Sequence, residues 1–130
     1  MTIRGMEGRY AILKYDAAMS GPPPGLDFSR GSGLVSLTRT EDEISLVCRE
    51  EGLATLEGWS SVESGWRLFM VEGPLDFGLT GILSSIATPL AEAGISLFAI
   101  STWDTDYILV KSGSFDRAAA CLAAAGFAMR

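Results

Sequence analysis

Apolar and polar residues change period along the chain, and each change marks an element. Residues 9–15 (RYAILKY) are a short apolar run bounded by polar residues, which predicts a strand. Runs at 34–39 and 44–49 flank Thr40-Glu41-Asp42-Glu43 and read as an antiparallel hairpin. Residues 50–57 suit a short helix. Residues 59–65, with glycine and serine around Val62, suit an edge strand or a junction, and 66–72 (WRLFMVE) a buried strand. From Gly78 the period becomes helical: Leu79, Ile82, Leu83, Ile86 and Leu90 fall on one face. Asp76 is placed to cap this helix, and Gly94 to end it in a left-handed conformation. Pro89 deletes one backbone bond and predicts a kink near Ser85. Strands follow at 95–102 and 106–111. A second helix begins at Ser114, with Phe115, Ala118, Cys121, Leu122 and Ala125 on one face, and stops at Gly126 before a last short strand at 127–129.

The second half therefore reads β-α-β-β-α-β, a split ferredoxin-like arrangement in the α+β class. The first half reads β-loop-β-β, because Gly21-Pro22-Pro23-Pro24-Gly25 can be neither helix nor central strand. The halves echo each other at a shift of 63 residues. Val35, Leu37, Thr38, Glu41, Glu43, Leu46 and Val47 then fall on Phe98, Ile100, Ser101, Asp104, Asp106, Leu109 and Val110. Gly31 and Gly33 form a GxG without a third glycine or a following helix, too little for a dinucleotide site.

Composition narrows the function classes. At 130 residues, 48% hydrophobic and 20% charged, the chain is globular and fits one ordinary domain or two small ones. A net charge of −6 without a basic stripe argues against nucleic acid and anionic membrane surfaces as partners. No apolar run approaches the ~20 residues of a membrane span, and the N-terminus lacks a signal-peptide core, so cytoplasm is the expectation. The chain has no histidine, and Cys48 and Cys121 stand far apart outside any CxxC. That removes the commonest general base and the usual zinc ligands, so neither catalysis, a metal nor a cofactor is expected.

Two segments carry candidate chemistry. A free amino acid needs donors for its carboxylate and acceptors for its ammonium. Leu75, Asp76, Phe77, Gly78, Leu79 and Thr80 lead into a helix start, where unpaired N–H groups and the helix dipole favour an anion. Ile100, Ser101, Thr102, Trp103, Asp104 and Asp106 gather hydroxyls and carboxylates at a strand junction, able to meet an ammonium or guanidinium, with Trp103 to cover it. Both segments are also explained as ordinary polar turns. Asp104 and Asp106, two residues apart with no third catalytic group, make a poor hydrolase pair.

Residues 71–111 resemble ACT domains, those of small bacterial ACT-domain proteins and of the CASTOR-type cytosolic arginine sensors. The likeness rests on GPLDFGLTGIL, LAEAGIS and ISTWDTDYILVK. It implies two ferredoxin-like (βαββαβ) ACT modules in tandem, a degenerate one at 8–64 and a complete one at 65–130. It further implies regulation by a small amino acid bound at a module or subunit interface, through the twelve residues named above, in a homodimer. The alternative is a module that mediates assembly without binding a small molecule.

Overall fold

A computed structural model of the chain describes every residue except 29–32, 77 and 79. Gly31 of the GxG pair, Phe77 and Leu79 thus lie outside the described residues. Among the described residues seven strands and two α-helices follow in the order β1 (Thr2–Asp16), β2 (Ser36–Arg39), β3 (Glu43–Arg49), β4 (Ser61–Val71), α1 (Ile82–Glu92), β5 (Phe98–Ser101), β6 (Asp106–Lys111), α2 (Phe115–Ala124) and β7 (Ala128–Met129). Short 3-10 turns cover Glu50–Ala54 and Ser112–Ser114. From β4 onward the expected β-α-β-β-α-β order is present.

Contacts divide the chain into two units, one of Met1–Glu7 with Trp66–Arg130 and the other of Gly8–Gly65. In the first, β6 lies antiparallel between β4 and β5, in registers Trp66↔Lys111 and Phe98↔Leu109. Alternation sends Phe69, Val71, Ile108 and Val110 to the face covered by α1 and α2, where they bury Ile86, Leu90, Ala118 and Leu122. Each large side chain there contributes about 1.5–3 kcal/mol of burial. Phe115 stacks on Phe69 with ring centroids 4.5 Å apart, and the Arg67 guanidinium lies 3.9 Å from the centre of the Phe115 ring.

Strand β1 starts seven residues before the apolar run that predicted it. Its first residues are held by neighbours rather than by their own pattern. Residues Thr2 and Ile3 pair in parallel with Ala128 and Met129, while Glu72 N–H donates to Thr2 O at 2.9 Å. Glu72 also binds Arg4 at 3.3 Å and Arg130 at 2.7 Å. In a plain βαββαβ unit the last strand lies beside the first, but here the N-terminal segment pairs with both β7 and β4.

In the other unit β3 lies between β1 and β2, antiparallel to both, and Ala11, Leu13 and Tyr15 face Cys48, Leu46 and Ile44 in one core closed by Leu56. Each unit thus contains a strand pair, β2–β3 or β5–β6, with the same turn. Thr40 N–H donates to Glu43 O at 2.9 Å, and Thr102 N–H to Thr105 O at 2.8 Å. These equivalents stand 62 residues apart, and Leu46 and Cys48 correspond at the same spacing to Ile108 and Val110, all core-facing. Backbone pairing thus aligns the two turns at 62 residues rather than the 63 read from the sequence; Glu41 and Glu43 then fall on Trp103 and Thr105, and Asp42 falls on Asp104.

Two boundaries and one cap also differ from the sequence reading. Helix α1 begins at Ile82, four residues after Gly78, because its N-cap Gly81 has φ +76°, which interrupts the helical run. Asp76 is not its cap: the Asp76 carboxylate accepts Gly78 N–H at 2.7 Å in a local turn. Strand β5 starts at Phe98 rather than Ile95, whose N–H closes the end of α1 on Leu90 O at 2.9 Å. Pro89 lies inside α1, with its carbonyl taken by Ala93 N–H at 3.1 Å and the Cys121 thiol at 3.2 Å.

Candidate functional site

The segment after β4 and the β5–β6 turn meet because the backbone leaves them little choice. Leu75 N–H donates to Asp104 O at 2.6 Å. The Thr105 hydroxyl, on a residue only 6% exposed, donates to Val71 O at the end of β4. Gly73 makes the approach possible: a Cβ there would lie 2.8 Å from Asp104 O and 3.1 Å from Leu75 N. Within the turn Thr102 Oγ1 donates to Thr105 O at 3.1 Å, and Ser101 Oγ donates to Asp106 Oδ1 at 2.6 Å, a charge-assisted bond that fixes the carboxylate.

Between these segments and the start of α1 lies an open cavity of about 290 Å³. It is lined by Leu75, Asp76, Gly81, Ile82 and Leu83 on one side and by Ser101, Thr102, Trp103, Asp104, Thr105 and Asp106 on the other. Seven of the twelve residues expected from the sequence line it: Leu75, Asp76, Ser101, Thr102, Trp103, Asp104 and Asp106. Gly78, Thr80 and Ile100 are not among its lining; Ile100 sits in β5 opposite Tyr107, and Gly78 N–H is already taken by Asp76. Phe77 and Leu79 are outside the described residues. Sequence reasoning missed Gly81, Ile82 and Leu83, because it began the helix too early, and Thr105, whose partner is 34 residues away.

The lining is electrostatically one-sided, with three carboxylates and no lysine or arginine among the described residues. The first turn of α1 supplies the opposite polarity, since its leading N–H groups have no acceptor within the helix; the first helical bond runs from Ser85 N–H to Gly81 O at 2.8 Å. Trp103 stands at the rim, 79% exposed. The arrangement offers acceptors for a cation and donors for an anion a few residues apart. Among the described residues, no group of three or more acidic, cysteine or histidine side chains is placed to hold a metal, and no helix is long and apolar enough to cross a membrane.

Residues 61–124, just under half of the chain, match the family model of the ACT domain. It is similar to protein CASTOR3P of Homo sapiens, 38% identical over 85 residues that cover 58% of this chain and 52% of that one. It is also similar to the cytosolic arginine sensor for mTORC1 subunit 1 of Bos taurus, 36% identical over 84 residues, 58% of this chain and 26% of the relative. The chain thus spans about half or a quarter of the curated relatives it matches. Among solved structures, protein Atu0741 from Agobacterium tumefaciens superposes with a TM-score of 0.82 at 35% identity, covering 99% of this chain and 91% of that one. Aspartate kinase of Clostridium acetobutylicum shares the fold, with a TM-score of 0.66 at 14% identity over 95% of this chain and 34% of the kinase.

Proposed function

We propose that this chain is a regulatory amino-acid-binding protein whose ligand is a cationic amino acid, arginine before lysine, held in the acidic cavity of the ACT domain. The carrying observation is that Asp76, Asp104 and Asp106 share one cavity with the start of α1. The α-carboxylate lies against the first-turn N–H groups from Ile82, not at Gly78. The ammonium or guanidinium meets Asp104 or Asp106, with Trp103 closing over it. At ~4 Å near a surface, one such ion pair is worth up to ~4 kcal/mol before desolvation, enough to select cationic over neutral side chains. The name of the Bos taurus relative, an arginine sensor, favours the same ligand.

Within this reading the Gly8–Gly65 unit is a degenerate ACT-like module. It has the same antiparallel strand order as β4–β6–β5, a loop where α1 would be and a 3-10 turn where α2 would be. The signal is passed by association of chains, a homodimer in the simplest case. Thermal unfolding against the twenty amino acids tests the proposal. Arginine at about 100 times its dissociation constant stabilises by ~2.7 kcal/mol, and neutral amino acids do not. A flat response to all twenty leaves the assembly module without a ligand as the function.

A further inference from the structure

The Gly8–Gly65 unit has a cavity of its own, about 420 Å³, within the range of small-molecule sites. Its wall is apolar and belongs to the unit's core: Cys48 and Leu56 are each 5% exposed, and Leu26 and Val35 pack beside them. The frame is tied in place. Glu57 N–H donates to Pro24 O at 3.2 Å and the Thr55 hydroxyl to Gly25 O at 3.4 Å, which clamps the proline-rich loop to the 3-10 turn. Gly25, at φ +86°, lets the loop press on the turn so closely that a Cβ there would collide with Thr55 O.

The other unit shows what such a wall ordinarily meets. At the spacing of 62 residues, Cys48 and Leu56 correspond to Val110 and Ala118, which are buried with Ile86, Leu90 and Leu122 of α1 and α2. In the Gly8–Gly65 unit the corresponding helical turn stops at Ala54. Ser60, which stands 62 residues before Leu122, is exposed and donates its N–H to Lys14 O at 2.8 Å. The cavity thus occupies the position at which the other unit seats branched aliphatic side chains.

Among the described residues the wall is also uncharged. Ala11 and Cys48 are a ladder pair on the cavity's face, whereas Tyr10 and Arg49, the next pair, take the opposite face, with the Arg49 guanidinium over Gly8. Arg49 is paired with Glu51 at 3.4 Å, and Asp27 on the lining also has a partner. Burial raises the Cys48 thiol above its ordinary value, so it stays neutral at physiological pH.

We propose that this cavity binds a small neutral molecule with a branched hydrocarbon body, seated against Leu26, Val35, Cys48 and Leu56. Among the described residues a carboxylate finds no unpaired cation there and an ammonium no unpaired acid, so burying either head group goes uncompensated.

Three probes of one hydrocarbon body separate the head group from the body: isohexanol, isocaproate and isohexylamine. Each is titrated into the full chain and followed by amide and methyl NMR. Isohexanol should shift the Cys48, Gly52 and Thr55 amides saturably and show NOEs from its methyl groups to those of Leu26, Val35 and Leu56. The acid and the amine should bind at least about tenfold more weakly. Gly52 supplies the variant. A Cβ there meets only Cys48 Sγ, at 3.6 Å, so G52L extends a side chain from the lining without backbone strain and should abolish binding in a folded protein. The inference is overturned if isohexanol gives no saturable shift by about 10 mM, if either charged probe binds as well, or if folded G52L binds like the parent. Saturable shifts without NOEs to those three residues overturn it equally, whether or not G52L folds.

Discussion

The Thr105 hydroxyl is the hinge pin of the candidate site, and T105V removes it with little change of shape. The loss leaves Val71 O without its side-chain donor at a position only 6% exposed. An unsatisfied buried acceptor costs about 1–3 kcal/mol; a carbonyl can still share strand pairing, so ~1–2 kcal/mol is the working figure. For a chain of this size that lowers Tm by roughly 3–8 °C. Thr105 also fixes the turn that delivers Asp104 O to Leu75 N–H, so arginine affinity should fall further than global stability alone explains. Urea unfolding of T105V and T105S, each with and without arginine, separates the terms. T105S retains the hydroxyl and should recover most of both losses. A T105V protein within ~0.3 kcal/mol of the parent, with unchanged arginine response, refutes the reasoning.

The close approach at Gly73 gives a sharper steric case: G73A places a methyl 2.8 Å from Asp104 O and should cost about 1–3 kcal/mol by urea unfolding, whereas G113A, with nothing within 4 Å, should be neutral. Burial raises the Cys48 thiol above its ordinary value, and burial together with Cys48 raises the Tyr15 phenol. The unfolded chain then releases these protons first as pH rises, so their contribution is whole below the ordinary thiol value near 9 and is lost above it. Stability should fall on the alkaline side by up to ~1.4 kcal/mol per pH unit per group, and C48A should flatten that limb in denaturant titrations at pH 8 to 11. Truncating the core at Ile86, fully buried against β4 and β6, should cost about 2–5 kcal/mol as I86A.

What the sequence disclosed, and what it hid, follows from where each signal resides. The period on Ile82, Ile86 and Leu90 and the left-handed Gly94 are local, and they located α1 and its end. The strand at Asp106–Lys111 was likewise legible from its own apolar run. The first residues of β1 were not, since Gly5 and Gly8 interrupt any alternation and the segment becomes a strand only by pairing with β7 and with Glu72. Gly81 hid the start of α1, because the helical period in the sequence runs on before it while its positive φ makes it the N-cap and Ile82 the first helical residue. The acids of the site were visible in Ser101-Thr102-Trp103-Asp104-Thr105-Asp106, as acids in any exposed turn are. Their role as one lining needed tertiary ties that no spacing records: Thr105 to Val71, and Leu75 to Asp104.

The most direct test of the account is calorimetric titration of arginine into the parent chain and into a D104N-D106N variant, both surfaces being open enough to tolerate the change. Saturable binding to the parent, with affinity lower by at least about tenfold in the variant at unchanged unfolding temperature, is the outcome expected. Equal arginine affinity in the two proteins would contradict the acidic cavity as the ligand site.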